Sequence, residues 1–258
     1  SLCEEKKCDV LVDCGDLFDT WKSTPKVESM LLNHLPEYSH FLSVAGNHEM
    51  PYHSEERIHE SSFNVIKIAR GFKDKHEDSA RFHLYNYSEG LPKKMPTYSG
   101  VLQIAVWHGM VFENNKPKIE GVHGFDADEV CKHFKEYDFI LTGHNHETFT
   151  CTVGKTTLIN PGSVMRSSIN QIDHKPCVFV IYGDRTFEKI FIPIEQDVFR
   201  KEMYEVKREK DSKMEAFIEQ LKTPSGMTAD FRKNVSLYIE KNKIGNDVKN
   251  KILSILEG

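Results

Sequence analysis

Four apolar runs in this chain each end on a small turn carrying a polar side chain able to hold a metal ion, and this repetition constrains the fold most. Val10-Leu11-Val12 leads into Asp13-Cys14-Gly15-Asp16, with Asp19 shortly after. Phe41 to Ala45 leads into Gly46-Asn47-His48-Glu49, and Leu102 to Trp107 into His108-Gly109. Phe139 to Thr142 leads into Gly143-His144-Asn145-His146. Short apolar runs closed by glycine read as buried strands, and α/β sheets bind ligands beyond the carboxyl ends of their strands. If the four strands are parallel neighbours, Asp16, Asn47, His108, His144 and His146 emerge on one edge. Carboxylate, amide oxygen and imidazole form a mixed donor set suited to divalent ions. The adjacent glycines let the backbone turn sharply and approach an ion or phosphate closely.

Between these runs, helical patterns alternate with strands. Thr24-Pro25 opens an amphipathic segment through Val27, Met30, Leu31, Leu32 and Leu35. A second helix is predicted from about Ser54 to Ala69, with Ile58, Phe63, Val65, Ile66 and Ile68 as its apolar contacts. A third is predicted around Asp126–Lys135, and strands at Arg81–Tyr87 and Val101–Val106. Beyond Leu141 the pattern changes to hairpins, 148–153 with 156–159 and 177–182 with 186–192, turning at Gly154 and Gly183. Strand–helix alternation followed by hairpins predicts an α/β fold, a layered sandwich with mixed sheets. A composition shift near Gln196 divides the chain into a domain of residues 1–195 and a helical C-terminal extension, 196–258. Pro224-Ser225-Gly226 and Gly245 separate helical stretches within that extension.

Composition narrows the function classes. The formal net charge of −5 gives no general attraction to polyanions, so nucleic-acid binding would need a local patch, bound metal or a partner. The six cysteines form no C-x-x-C pair and no zinc-finger spacing, which suits reduced thiols. No apolar run approaches the roughly 18–20 residues of a membrane span, and no basic start precedes an apolar core. A cytoplasmic protein is expected.

The ordered series G-D-x-x-D, G-N-H-E, lone H and G-H-x-H, from Gly15 to His146, resembles the calcineurin-like metallophosphoesterases. The resemblance implies an α/β/β/α sandwich and two divalent metal ions, with manganese favoured and iron or zinc as alternatives. It implies Asp16 bridging the two ions, Asn47, His108 and His144 on one, and His146 helping to hold the other. His48 would contact the scissile phosphate as the catalytic residue, and Asp19 would support its loop. Paired metal ions acidify a water that attacks phosphorus in line, and His48 would act as general acid or electrostatic stabiliser. Members of this superfamily begin with a strand ending in D-x-H, which residues 1–14 lack. The one D-x-H here, Asp74-Lys75-His76, follows no apolar strand. The non-methionine start suggests a natural beginning further upstream; a degenerate relative is the alternative.

Asn160-Pro161-Gly162-Ser163, extended by Val164-Met165-Arg166 and followed by Asp173-His174-Lys175-Pro176, resembles the nuclease subunit of SbcCD-type double-strand-break repair complexes. This resemblance implies DNA as substrate, an SMC-like ATPase of the SbcC type as partner, and homodimer formation, with Arg166 as a phosphate contact. The C-terminal extension would be a DNA- or partner-docking region. Two other readings stay open: a phosphoesterase for small molecules or cyclic nucleotides, and a non-catalytic scaffold that keeps the fold.

Overall fold

The computed structural model describes residues 2–35, 40–70, 79–114, 116, 122–166, 171–195 and 239. The chain divides into two compact units, Ser1–Gln196 and Asp197–Gly258. Of the second unit only Ile239, a buried helical residue, is described. The helical stretches expected beyond 196, and Asp74-Lys75-His76, lie outside the described residues.

The first unit is built on a five-stranded sheet in the order β3-β4-β7-β9-β8. Its strands are β3 (Ala80–Tyr85), β4 (Leu102–Trp107), β7 (Phe139–Thr142), β8 (Phe149–Val153) and β9 (Thr156–Asn160). All neighbours run parallel except β8, which returns antiparallel beside β9. Every residue of β4 is buried. Side chains alternate across a strand, and the two core clusters divide on that period. Leu102, Ile104 and Val106 face one side together with Phe139, Leu141 and Ile159. Ala105 and Trp107 face the other with Ile140 and Leu158.

On the first side lie two small sheets. One is a parallel pair of β1 (Val10–Asp13) and β2 (His40–Ser43), in register from Val10↔His40 to Asp13↔Ser43. The second is an antiparallel hairpin of β10 (Cys177–Ile181) and β11 (Phe187–Phe191). Val10, Val12, Leu42, Phe179 and Ile181 from these sheets enter the core shared with the five-stranded sheet. On the opposite side α4 (Ala127–His133) packs Ala127, Val130 and Cys131 against Trp107 and Leu158. Outside β2, α2 (Pro25–His34) and α3 (Ser62–Arg70) supply Leu31, Leu32, Phe63 and Ile66 to a third cluster that includes Phe41 and Ala45. The resulting layers are helix, sheet, sheet, helix, the expected α/β/β/α sandwich.

Local chemistry explains the helix boundaries. Thr24 caps α2, its hydroxyl accepting the Val27 N–H, and Pro25 opens the first turn, where its missing N–H costs no helical hydrogen bond. Asp126 and Glu129 close α4 with a reciprocal capping box. The helix expected from Ser54 to Ala69 is broken instead. A 3₁₀ segment covers Glu55–Glu60, and Ser61 turns extended before α3 begins. The Ser61 hydroxyl donates to Ile58 O and accepts the Asn64 N–H, which starts a new helix at that point. With the phase reset, Phe63 and Ile66 are buried, but Val65 and Ile68 face outward, 47% and 74% exposed. The sequence pattern places both among the apolar contacts, and the reset turns them out.

Three further elements lacked a strong sequence signal. They are the short helix α1 (Leu2–Lys6) and the two-residue parallel strands β5 (Val111–Phe112) and β6 (Phe125–Asp126). The strand expected to reach Tyr87 stops at Tyr85. Asn86 Oδ1 accepts the Ala45 N–H, and the Tyr87 N–H donates to Ala45 O, so the chain leaves β3 to join the turn after β2. No described helix is long and apolar enough to cross a membrane.

Candidate metal centre

The strand ends carrying the motif residues meet, though not in one sheet. β1 and β2 are parallel neighbours in one layer; β4 and β7 are parallel neighbours in the next. Their carboxyl ends open on the same edge of the sandwich, so Asp16 and Asn47 come from one layer and His108 and His144 from the other.

Four acceptor atoms converge there. His108 Nε2 lies 3.3 Å from Asp16 Oδ2, from Asn47 Oδ1 and from His144 Nδ1. His108 is fully buried, and its Nδ1 lies 2.7 Å from Cys14 O. A carbonyl can only accept, so Nδ1 carries the proton and Nε2 presents a lone pair to the cluster. A carboxylate oxygen, an amide oxygen and two imidazole nitrogens therefore face one another, each able to present a lone pair when the His144 proton is on its other nitrogen. Acceptors packed in this way repel unless a cation or proton sits among them. Asp16, His108 and His144 place their ligand atoms within 4.8 Å of one another, a spacing that fits a single divalent ion.

The backbone is bent to deliver these groups. Asp16 and His144 both occupy the left-handed region, at φ 58° and 75°. Such conformations on non-glycine residues cost energy and concentrate at functional sites. Gly46 and Gly143 supply the close approach. A Cβ on Gly46 would strike Asp16 Oδ1 and lie 2.6 Å from Asp16 N. One on Gly143 would strike Cys14 O and lie 2.9 Å from His108 Nδ1.

Glu49, to which the sequence pattern gives no role, ties the two turns together. Its side chain is completely buried. Oε2 accepts the N–H groups of Asp16 at 3.0 Å and Gly46 at 2.7 Å, while Oε1 accepts that of Phe18 at 2.8 Å. The G-N-H-E series contains the residue, but its partners lie across a chain separation that sequence does not display. On the other side of the site, buried Asn160 fixes the turn after β7 by donating to Asn145 O and Glu147 O. Ser163 N–H donates to His146 O at 3.2 Å. The Asn-Pro-Gly-Ser segment thus braces the loop bearing His144 and His146.

The remaining motif residues are placed differently. His48 is exposed; its backbone N–H donates to Asp16 Oδ1, and its Nδ1 donates to Asp19 O at 2.7 Å. Its other ring nitrogen is left as the proton-exchanging atom. The bond to Asp19 O raises the His48 pKa, with Asp16 adding to it. Asp19 acts through its carbonyl, and its carboxylate points to solvent. His146 is exposed and lies outside the Asp16–His108–His144 group. The Arg166 guanidinium donates to Ile172 O and Glu195 O, bracing its own loop.

Electrostatics fit a cation. Burial pushes the Glu49 carboxyl up to about 7, with Asp16 and Asp13 adding repulsion. Burial likewise pushes Asp13 up to about 6, although Ser43 and Gly15 hydrogen-bond to it. Burial works against ionisation of Asp16, yet in the metal-free cluster a proton shared with His108, with the His48 N–H beside it, holds it below the usual carboxylate range. Burial, then the neighbouring His108, depresses His144 to about 4, leaving a neutral imidazole ready to ligate.

These shifts set a pH dependence for the metal-free protein. A carboxyl raised on folding stabilises the fold at low pH, and that contribution is lost as pH rises through the folded value. Asp13 and Glu49 therefore weaken the metal-free fold as pH rises through about 6 and about 7. His144 acts oppositely: its contribution is present above its unfolded pKa and is lost as pH falls toward about 4. Between roughly pH 5 and 8 the two carboxyls outweigh the one imidazole. Manganese should therefore raise the melting temperature more at pH 8 than at pH 5, relative to protein held in chelator. Equal shifts at both pH values would show that these carboxyls do not sense the ion.

This arrangement of an α/β/β/α sandwich with a mixed carboxylate, amide and imidazole cluster at its strand ends defines a metal-dependent phosphoesterase class. The calcineurin-like phosphoesterase superfamily domain matches residues 1–182, and the chain belongs to that superfamily. No curated protein sequence matches. Among solved structures, one similar chain is described as a novel archaeal phosphodiesterase, at 15% identity and a TM-score of 0.41, covering 74% of this chain and 87% of that one. Another is wild-type Vps29 complexed with zinc from Entamoeba histolytica, at 18% identity and a TM-score of 0.35, covering 70% of this chain and 98% of that one.

Proposed function

We propose that this chain hydrolyses phosphodiester bonds with divalent metal held at Asp16, Asn47, His108 and His144, and that its substrate is DNA. The observation that carries the hydrolytic reading is the convergence of those four acceptors on one point. A divalent ion there would supply positive charge to phosphoryl oxygens and acidify a water. Asp16 contributes the anionic ligand, and Asn47 and the two imidazoles complete a neutral remainder, so the site keeps net positive charge for a phosphate. A second ion, for which this chain supplies only Asp16 and His146 and which would be weakly held, belongs to the same proposal, as does manganese as the metal.

His48 is the residue for the leaving oxygen. Its Nδ1 is anchored on Asp19 O and its backbone on Asp16, so the ring is oriented without being consumed as a ligand. Its raised pKa favours the protonated form that can give a proton to a departing alkoxide. His48→Ala should lower kcat by on the order of 10²–10⁴-fold while manganese affinity, read by calorimetry, changes by less than a few fold. Unchanged turnover in that variant would remove His48 from the chemistry.

The DNA reading rests on the resemblance of 160–166 and 173–176 to SbcD-type nuclease subunits. It brings with it an SMC-like ATPase partner and a homodimer, with the unit beyond Gln196 as docking region. The acidic net charge suits an enzyme whose DNA is delivered by a partner. A second reading, a phosphoesterase for small molecules, is favoured by a half-open cavity beside His144. Manganese-dependent cleavage of linear DNA, compared with bis(p-nitrophenyl) phosphate, separates them. Turnover of the small ester without any cut in DNA would replace the first reading by the second.

A further inference from the structure

The cavity beside His144 has a volume of about 220 Å³ and is framed by Tyr87, Glu89, Met110, His123 and Phe125. It adjoins the metal cluster directly. The Tyr87 ring lies 5.4 Å from that of His144 and 6.1 Å from that of His108, centroid to centroid. The wall is built rather than incidental. Phe125 N–H donates to Met110 O, and the Phe125 ring stands 6.2 Å from buried Trp107. Between them Gly124 is packed so tightly that a Cβ would lie 2.6 Å from the Phe112 ring.

Size and lining together restrict the occupant. Pockets for drug-sized ligands run from about 300 Å³ upward, so this one suits a single ring system attached to a phosphate held next door. Two aromatic rings line it, and no lysine or arginine is among the described lining residues. A second phosphate would meet the Glu89 carboxylate, with only the His123 and His144 imidazoles facing it among the described lining residues. A flat uncharged ring with an N–H group would instead stack on an aromatic face and offer Glu89 a donor.

We propose that this cavity takes the nucleobase of the nucleotide whose phosphate lies at the Asp16–His108–His144 cluster, an inference that rests on the phosphoesterase reading and narrows it to nucleotidyl phosphates. Tyr87 and Phe125 supply the stacking surface, and Glu89 accepts from the edge of the base. A duplex cannot present a stacked base to such a recess, so a DNA substrate enters with its terminal or unpaired nucleotide.

Calorimetric titration of the manganese-loaded full chain with thymidine 5′-monophosphate and with 2-deoxyribose 5-phosphate tests this, because the two share the sugar phosphate and differ at C1′, where one carries the base and the other a hydroxyl. The thymidine compound should bind on the order of tenfold more tightly, as expected for one base stacked on an aromatic side chain. Tyr87→Leu and Phe125→Ala should each bring the two affinities together. Phe125 also packs against the core, so Tyr87→Leu keeps the test valid if Phe125→Ala fails to fold. Equal binding of the two phosphates by the unaltered chain, binding of neither, or a preference that survives both substitutions overturns the proposal. Hydrolysis of bis(p-nitrophenyl) phosphate by the same preparation reports separately on the phosphoesterase reading. Turnover without base preference sinks only the cavity assignment, and base preference without turnover sinks only the catalytic one.

Discussion

Glu49→Ala should destabilise the fold by on the order of 3–5 kcal/mol and lower metal affinity by about 10–100-fold, although Glu49 need not touch the ion. Among the described residues the carboxylate is the acceptor for the N–H groups of Asp16, Phe18 and Gly46; the bonds to Phe18 and Gly46 are buried and that to Asp16 is partly so. Removing it leaves three donors facing a void, and each buried unpaired donor costs about 1–3 kcal/mol, less whatever an entering water recovers. The turn after β1 then loses its tie to the turn after β2. Asp16 sits at positive φ in the first of these turns and Asn47 in the second, so their separation is no longer fixed. Glu49→Gln should fall between. Its carbonyl oxygen can still accept two of the bonds, while its amide NH₂ is set against the third N–H. Denaturant titration and manganese calorimetry on the three proteins check this order. If Glu49→Ala keeps both stability and affinity, the turns are held by something other than this carboxylate.

The same residue shows where sequence reading stops. Asp16, Asn47, His108 and His144 could be picked out because each follows an apolar run, and strand ends collect ligands. Their actual relation is less direct. They emerge from two parallel pairs in different layers, β1 with β2 and β4 with β7, and only the stacking of those layers brings the four together. His146 shares a motif with His144, but the left-handed turn at His144 sends the chain outward, leaving His146 exposed. Glu49 carried no signal of its own because its partners are backbone N–H groups, which every residue possesses. Tyr87 read as one more strand residue. Its place beside the site depends on Asn86 and Tyr87 exchanging hydrogen bonds with Ala45, a departure from β3 that a period-2 pattern does not encode. Helix phase failed for a similar reason at Ser61, where a hydroxyl reset the register and turned Val65 and Ile68 to solvent.

Gly143→Ala should abolish metal binding with a smaller loss of stability, the converse of a general packing defect. The added methyl would collide with Cys14 O and crowd His108 Nδ1. Both obstacles belong to one hydrogen bond, the 2.7 Å contact that fixes the His108 tautomer. The obstruction is backbone and a fully buried ring, so neither can swing aside as a flexible side chain would. Relief requires the turn after β1 to move away from β7, which carries Asp16 with it and releases the His108 Nδ1 proton from its carbonyl. His108 would then be free to present N–H rather than a lone pair to the cluster, and the donor set loses its geometry and one of its ligands together. Overpacking of this kind costs roughly 1–3 kcal/mol in stability, whereas metal affinity should drop by more than about 100-fold, beyond the range of an orienting partner alone. Manganese calorimetry against thermal melting of metal-free protein separates the two quantities. Gly154→Ala is the control, since a Cβ there meets nothing within 4 Å, although its positive φ of 63° adds a modest strain. A Gly143→Ala protein that binds manganese as tightly as the Gly154→Ala control would mean that the contact between the β1 and β7 turns does not set the ligand geometry.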